Sequence, residues 1–265
     1  MKRIKRFLMA LAICSISIGA VACSSNGGGK LSNEEIVKKI DEASKSVKSS
    51  KANVESKVSF NPGGKDYVTS VTMEAEAISE PLTVKITGKT ETLGQSFDMN
   101  MYITEENMYI QNMLTKEWMH VKDENLKKTL EGRKNSANFN DSLALLNAMQ
   151  KNIKVEEKGS NYEATYSGID DSAKEALKKM MVSSQPDAAK VLNNMEIEKL
   201  DIKYVIDKST FYPTECEIKT GMKVSEAGQT ISFDMEMKIK YSDINQVKEI
   251  VIPDEVKNAK DYKAN

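Results

Sequence analysis

Histidine, arginine, cysteine and long apolar runs are all scarce in this 265-residue sequence, and each scarcity excludes something. The lone histidine, His120, all but removes multi-histidine metal sites, Cys–His pairs and Ser–His–Asp triads. Arginine occurs only at Arg3, Arg6 and Arg133, so the planar guanidinium clamps that grip phosphate are nearly absent. Gly-x-Gly-x-x-Gly, a Walker-type loop, a Gly-x-Ser-x-Gly elbow and Cys-x-x-Cys are all missing. The acidic pairs Glu105-Glu106, Glu156-Glu157 and Asp170-Asp171 fall in loops or at a helix start, where solvation or capping accounts for them. No catalytic residue, metal site or cofactor is therefore expected. A hydrolase built on two carboxylates needs no fixed spacing and stays open. Beyond residue 22 the chain carries 34 basic and 39 acidic residues, a balance that argues against nucleic acid as partner.

The one extended apolar run is Phe7–Ala22, preceded by the four cations of Met1–Arg6. At 16 residues it is short of the ~20 that span a bilayer and has the layout of a secretory signal. It ends in Ala20-Val21-Ala22-Cys23, which resembles the lipobox of bacterial lipoproteins, although that family prefers Leu where Ala20 stands. The resemblance implies cleavage between Ala22 and Cys23 and a diacylglyceryl group on Cys23. The alternative is an ordinary secretory signal with an incidental cysteine. Ser24–Lys30 then reads as a flexible polar tether. The expected organisation is a signal peptide over 1–22, a lipidated cysteine and tether over 23–30, and a single domain over 31–265. The chain would sit on the extracytoplasmic face of the cell membrane.

Cys14 would leave with such a signal and Cys23 would be acylated, so Cys216 would remain alone and no disulfide would staple the domain. Cys216 shares a strand face with Thr214, Ile218 and Thr220, which points to a small buried hydrophobe; a reactive thiol is the other reading.

Ser32-Asn33-Glu34-Glu35 is a capping box, and Ile36, Ile40, Ala43 and Val47 follow on one helical stripe, predicting a helix over Asn33–Ser49. From Ala52 the period changes to 2. Strands are expected over Val54–Phe60, Tyr67–Ile78, Leu82–Thr90, Ser96–Thr104, Met108–Asn112 and Glu117–Lys122. Helical stretches are expected at Asp123–Leu130 and Asp141–Gln150, then a hairpin of Ile153–Glu157 with Asn161–Ser167. Two further helices follow, one opened by a capping box at Ser172-Ala173-Lys174-Glu175 and one led by Pro186. Glu196–Asp207, Phe211–Val224 and Thr230–Tyr241 close the domain, leaving a tail read as mostly polar. Short connections between strands predict an α+β domain with an antiparallel sheet.

Two segments echo each other. Gly94-Gln95 leads into Phe97, Met99, Met101 and Ile103, and Gly228-Gln229 leads into Phe233, Met235, Met237 and Ile239. Each quartet occupies one strand face, with Asp98, Asn100, Asp234 and Glu236 among the alternates. Thirteen methionines lie beyond residue 22, and methionine adapts to varied apolar partners. The eight residues of the two quartets are the candidate lining of an apolar ligand cavity. The competing reading places them in a close-packed core. Trp118 and His120 share a strand face and read as a packing feature or a rim.

The lipobox, the Gly-Ser tether, Leu31–Lys39 and the closing Ile250–Lys257 together resemble DUF6612, an uncharacterised family of Gram-positive surface lipoproteins. The element order is also similar to that of the LolA, LppX and LprG lipoprotein carriers. That likeness implies a half-barrel, a curved antiparallel sheet with helices packed on its concave face, and a lipid-like ligand between them. Two functions follow as expectations: a membrane-anchored, non-catalytic binding module for an apolar ligand, or a structural lipoprotein with a packed core and no cavity. Neither reading specifies an oligomeric state.

Overall fold

The computed structural model describes residues 31–62, 65–121, 145–184, 195–226 and 229–262. Helix α1 (Asn33–Ser44) begins as its sequence dictates. The Ser32 hydroxyl accepts the Glu35 N–H at 3.2 Å, and the Glu35 carboxylate accepts the Ser32 N–H at 2.8 Å. Ile36, Val37, Ile40 and Ala43 are buried. The helix stops short of Ser49 because β1 (Ser49–Asn61) starts there, pairing Ser49 with Ile78 and Ser50 with Ala77. Val47 is still buried, but from the connection and not from a helical stripe.

Four long strands follow a meander: β1, β2 (Tyr67–Ser79), β3 (Leu82–Thr92) and β4 (Gln95–Thr104). β5 (Met108–Gln111) and β6 (Trp118–Val121) are short. A helical turn over residues 145–148 buries Leu145, Leu146 and, just after it, Met149. β7 (Lys154–Lys158) and β8 (Asn161–Ser167) form the expected hairpin. Helix α2 (Asp171–Ser184) follows, capped differently from expectation. The N–H of Ala173 donates to Asp170 Oδ1 at 2.9 Å, so Asp170 is the cap and Ser172 lies exposed in the first turn. β9 (Met195–Asp207), β10 (Pro213–Glu226) and β11 (Gln229–Ser242) are the three long closing strands. The tail is more than polar trailing chain, since it forms α3 (Asp254–Lys257) and β12 (Lys260–Tyr262).

All twelve strands belong to one sheet in the order β12-β6-β5-β4-β3-β2-β1-β11-β10-β9-β8-β7. β11 returns to pair with β1, so the early meander and the closing strands meet at the centre. Ten of the eleven pairings are antiparallel, and β12 lies parallel to β6. The expectation of an α+β domain with a purely antiparallel sheet is corrected accordingly: the described fold is mostly β, with an open, curved, mixed sheet of the half-barrel kind. The parallel edge exists because residues 243–259 form a connection long enough to bring the chain back in the direction of β6. Residues 1–30, with Ala22 and Cys23, lie outside the described residues, as do the helices expected at Asp123–Leu130 and after Pro186.

Alternation assigns the two faces. Along β1, Ala52, Val54, Ser56 and Val58 are buried, while Asn53, Glu55 and Lys57 are exposed. The inward residues of the strands join Ile36, Val37 and Ile40 of α1, Leu145 and Leu146, and Leu177 of α2 in one apolar cluster.

Candidate ligand-binding face

The registers turn the alternation into lateral rows. One runs Met99–Gly88–Met73–Val54–Ile239–Cys216–Tyr204–Ala164, crossing from β4 to β8. The next runs Phe97–Thr90–Val71–Ser56–Met237–Ile218–Ile202. Toward the end of the sheet that carries the β3–β4 hairpin, Tyr67, Phe60 and Phe233 stack, with ring centroids 5.3 and 6.2 Å apart. Seven of the eight candidate residues are between 2% and 8% exposed and share this cluster: Met99, Met101, Ile103, Phe233, Met235, Met237 and Ile239. Phe97, near the hairpin tip, is half-buried. The two quartets do not touch as a pair of neighbouring strands, since β3, β2 and β1 stand between β4 and β11, a spacing of about 19 Å.

Sequence reasoning stopped at those two strands. Met73, Val54, Ile86, Ile202, Met222 and Tyr204 belong to the same face, and the period-2 alternation of β1, β2, β3, β9 and β10 carried the signal. Cys216 is buried beside Tyr204, and its thiol is pushed up to about 12 by burial.

The opposite face is a charge lattice. Register aligns Glu55, Lys238, Glu217 and Lys203 in one row and Lys57, Glu236, Lys219 and Asp201 in the next, with signs alternating along and between rows. Lys238 contacts Glu217 at 2.8 Å and also Glu215. Those two carboxylates, Glu215 first, raise the Lys238 ammonium above its ordinary range. Lys238 in turn holds the Glu217 carboxyl low. An open trough of about 430 Å³ crosses β2, β1, β11 and β10 between these side chains. Its charges are matched pairwise, so the trough carries no excess of either sign. Among the described residues no group of three or more His, Cys, Asp or Glu could hold a metal ion.

At the β4–β6 edge this outer face is covered. Tyr102, Tyr109 and Val256 form a second small core, with Trp118, Ile250, Ile252 and Ala259 packed on it. His120 Nδ1 lies 3.0 Å from Asp261 Oδ1, its Nε2 lies 2.8 Å from Asn107 Oδ1, and its ring stacks on Tyr109 at 4.9 Å. Both ring nitrogens are thus engaged in tying β6 to β12 and to the β4–β5 loop. Trp118 and His120 are a packing feature, and what they pack under is the C-terminal strap.

A family model, described as a family of unknown function (DUF6612), matches residues 32–261. No curated protein matches the chain. Among solved structures, one of lipid–protein interactions in lipovitellin is similar over 77% of this chain, at 9% identity and a TM-score of 0.37. This chain spans 26% of that one. A β-barrel-like protein of the DUF1849 family from Brucella abortus is similar over 74% of this chain and 98% of its own, at 6% identity and a TM-score of 0.23. A DUF1329 family protein from Desulfovibrio piger is similar over 81% and 90% of the two chains, at 8% identity and a TM-score of 0.23.

Proposed function

The chain belongs to the DUF6612 family, whose function is unknown, and we propose that it is a membrane-anchored lipoprotein that binds an apolar, lipid-like ligand between its sheet and its helices. The observation that carries this reading is the make-up of the inner face. Met73, Met99, Met101, Met222, Met235 and Met237 all lie on it, and Met149 joins them from the helical turn above. Unbranched thioether chains repack around varied shapes at little cost, as a face that admits a flexible acyl chain requires. The helices would cover the concave side of the curved sheet, and the ligand would lie beneath them. Support for the anchor comes from Ala20-Val21-Ala22-Cys23 and the polar tether behind it. In this reading the protein works at the extracytoplasmic face, by binding alone and without catalysis.

A second reading is favoured by burial. The inner-face methionines named above are at most 5% exposed, and helix residues share their cluster, as in a structural lipoprotein whose core is simply closed. Paired substitutions separate the two. In a close-packed core Met101→Ala or Met235→Ala costs about 2–5 kcal/mol, and Met101→Lys or Met235→Lys unfolds the domain. In a ligand cavity water can follow the charge. The lysine variants then lose fluorescent fatty-acid binding while their melting temperatures fall by only a few degrees. Failure of the wild-type domain to bind the probe, together with large losses in the variants, overturns the binding reading. Fractionation of Cys23→Ser tests the anchor, since a processed, membrane-bound variant would refute it.

A further inference from the structure

Leu93 and Gly94 are the two central residues of the β3–β4 hairpin, and both have positive φ, 53° and 75°. Asn or Gly is the natural first residue of such a turn, because a left-handed backbone crowds a Cβ. Here the position holds a leucine that is 73% exposed. It gains neither backbone comfort nor burial. A second leucine, Leu114, is 80% exposed in the β5–β6 turn. That turn is rigid, since Asn112 Oδ1 accepts the N–H groups of Leu114 and Thr115 at 2.8 and 3.0 Å. Lys116 ties it to β4 through Asp98 at 2.9 Å, so the two turns sit at the same end of the sheet. Val68, 41% exposed, is adjacent, because the pairing of Thr69 with Thr92 brings it level with Leu93.

We infer that Leu93, Leu114 and Val68 are a bilayer-contacting rim, by which the anchored protein stands on the membrane surface. The inference rests on the lipid anchor proposed above. Strand directions say why the bilayer is the partner. Asn33, the first residue of α1, donates its side-chain amide to the carbonyl of Ile153 at 3.0 Å, immediately before β7. The registers through β8, β9, β10, β11, β1 and β2 place the start of β7 toward the same end of the sheet as the β3–β4 turn. From Cys23 to Ser32 is a reach of at most about 30 Å even fully extended. The anchor therefore holds the β7 edge of that end near the bilayer, seven strand spacings from β3, and the leucines reach the surface when the strands stand end-on to it. Lys65, Lys89 and Lys116 flank the rim beside Asp66, Glu91 and Glu117, so apolar insertion and not charge would make the contact.

The test uses the full lipidated chain in vesicles of equal parts phosphatidylcholine and phosphatidylglycerol with brominated acyl chains. Trp118→Phe removes the native fluorophore, and single tryptophans are placed by Leu93→Trp, Leu114→Trp and, at the opposite end of the sheet, Glu106→Trp. Blue-shifted emission with strong bromine quenching at 93 and 114 and none at 106 is the expected result. Equal quenching at all three positions, or none at any, overturns the rim. Mass determination of the Cys23 peptide on the same samples reports the anchor separately, so an unlipidated cysteine is distinguishable from a lipidated protein whose tips stay dry. Leu93→Asn provides a further check. It suits the left-handed turn, so the melting temperature should hold or rise in solution, whereas a leucine needed for folding would lower it.

Discussion

Gly88 shows what a single side chain can cost this sheet. It sits between Met73 and Met99 in the inner-face row, and a Cβ there would lie 2.3 Å from the Thr72 carbonyl oxygen and 2.8 Å from the Met73 Cα. These are backbone atoms, so the clash cannot be relieved by a rotamer change. Gly88→Ala is expected to destabilise by about 1–3 kcal/mol, even though alanine normally suits a strand better than glycine. An unchanged urea midpoint would show that β2 can move aside. Cys216 gives the opposite kind of prediction, one of inertness. With the thiol pushed up to about 12, almost no thiolate exists near neutral pH, and the side chain is 2% exposed. Alkylation of Cys216 in the native protein should proceed only as fast as the domain unfolds, and should be immediate in denaturant. Prompt labelling of native protein would contradict the burial of this row.

At the scale of elements, α2 depends on Asp170. Its carboxylate accepts the Ala173 N–H, the Asn152 amide at 2.9 Å and the Tyr166 hydroxyl at 2.8 Å, so it caps the helix and fastens it to β8 and to the residues before β7. The Ala173 N–H, followed by Asn152 and Tyr166, holds the Asp170 carboxyl below its ordinary range. A lowered folded-state pKa adds stability above the unfolded value and loses it as pH falls through the folded one. Asp170→Ala should therefore cost about 0.5–2 kcal/mol at neutral pH. The gap between variant and wild-type melting temperatures should narrow once pH falls below about 4, where the unfolded carboxyl begins to protonate, and close as pH falls through the lowered folded-state value. A gap that stays constant to low pH would mean that the cap acts by packing alone. The sheet edges follow a related logic. β7 reads Lys-Val-Glu-Glu-Lys and β12 Lys-Asp-Tyr, charged strands that discourage pairing with another sheet.

For the whole molecule, the C-terminal strap is the least local feature. Residues 250–262 cross an edge of the outer face and bury Tyr102 and Tyr109, with Val256 fully enclosed between them and Trp118 packed alongside. Among the described residues it is fastened by that small core, the parallel β12–β6 pairing and the His120–Asp261 contact. Val256→Asp places a carboxylate in the core and should release the strap while sparing the central strands. The expected signature is a red shift of Trp118 emission and faster amide exchange over residues 254–262, with β1 and β11 still protected. If the whole sheet loses protection together, the strap is part of the cooperative core and not a separate layer.

Much of this architecture was legible in residues close together in the chain. The capping box of α1, the strand faces of β4 and β11, and the burial of Cys216 each follow from spacing of three or two residues, because helix and strand geometry depend only on neighbours. The end of α1 was not legible, since Val47 fits a helical stripe and only the pairing of β1 with β2 overrides it. Nor was the Asp170 cap, which competes with an equally plausible Ser172 box until Asn152, just before β7, and Tyr166 of β8 arrive. The tail looked polar because Val256 stands alone among charges, and its burial depends on Tyr102 and Tyr109 more than 140 residues earlier. Whether two methionine-rich strands would be neighbours was likewise undecided by their likeness. The return of β11 to β1 placed three strands between them, and a sheet order of that kind is set by long-range hydrogen bonding that no local pattern encodes.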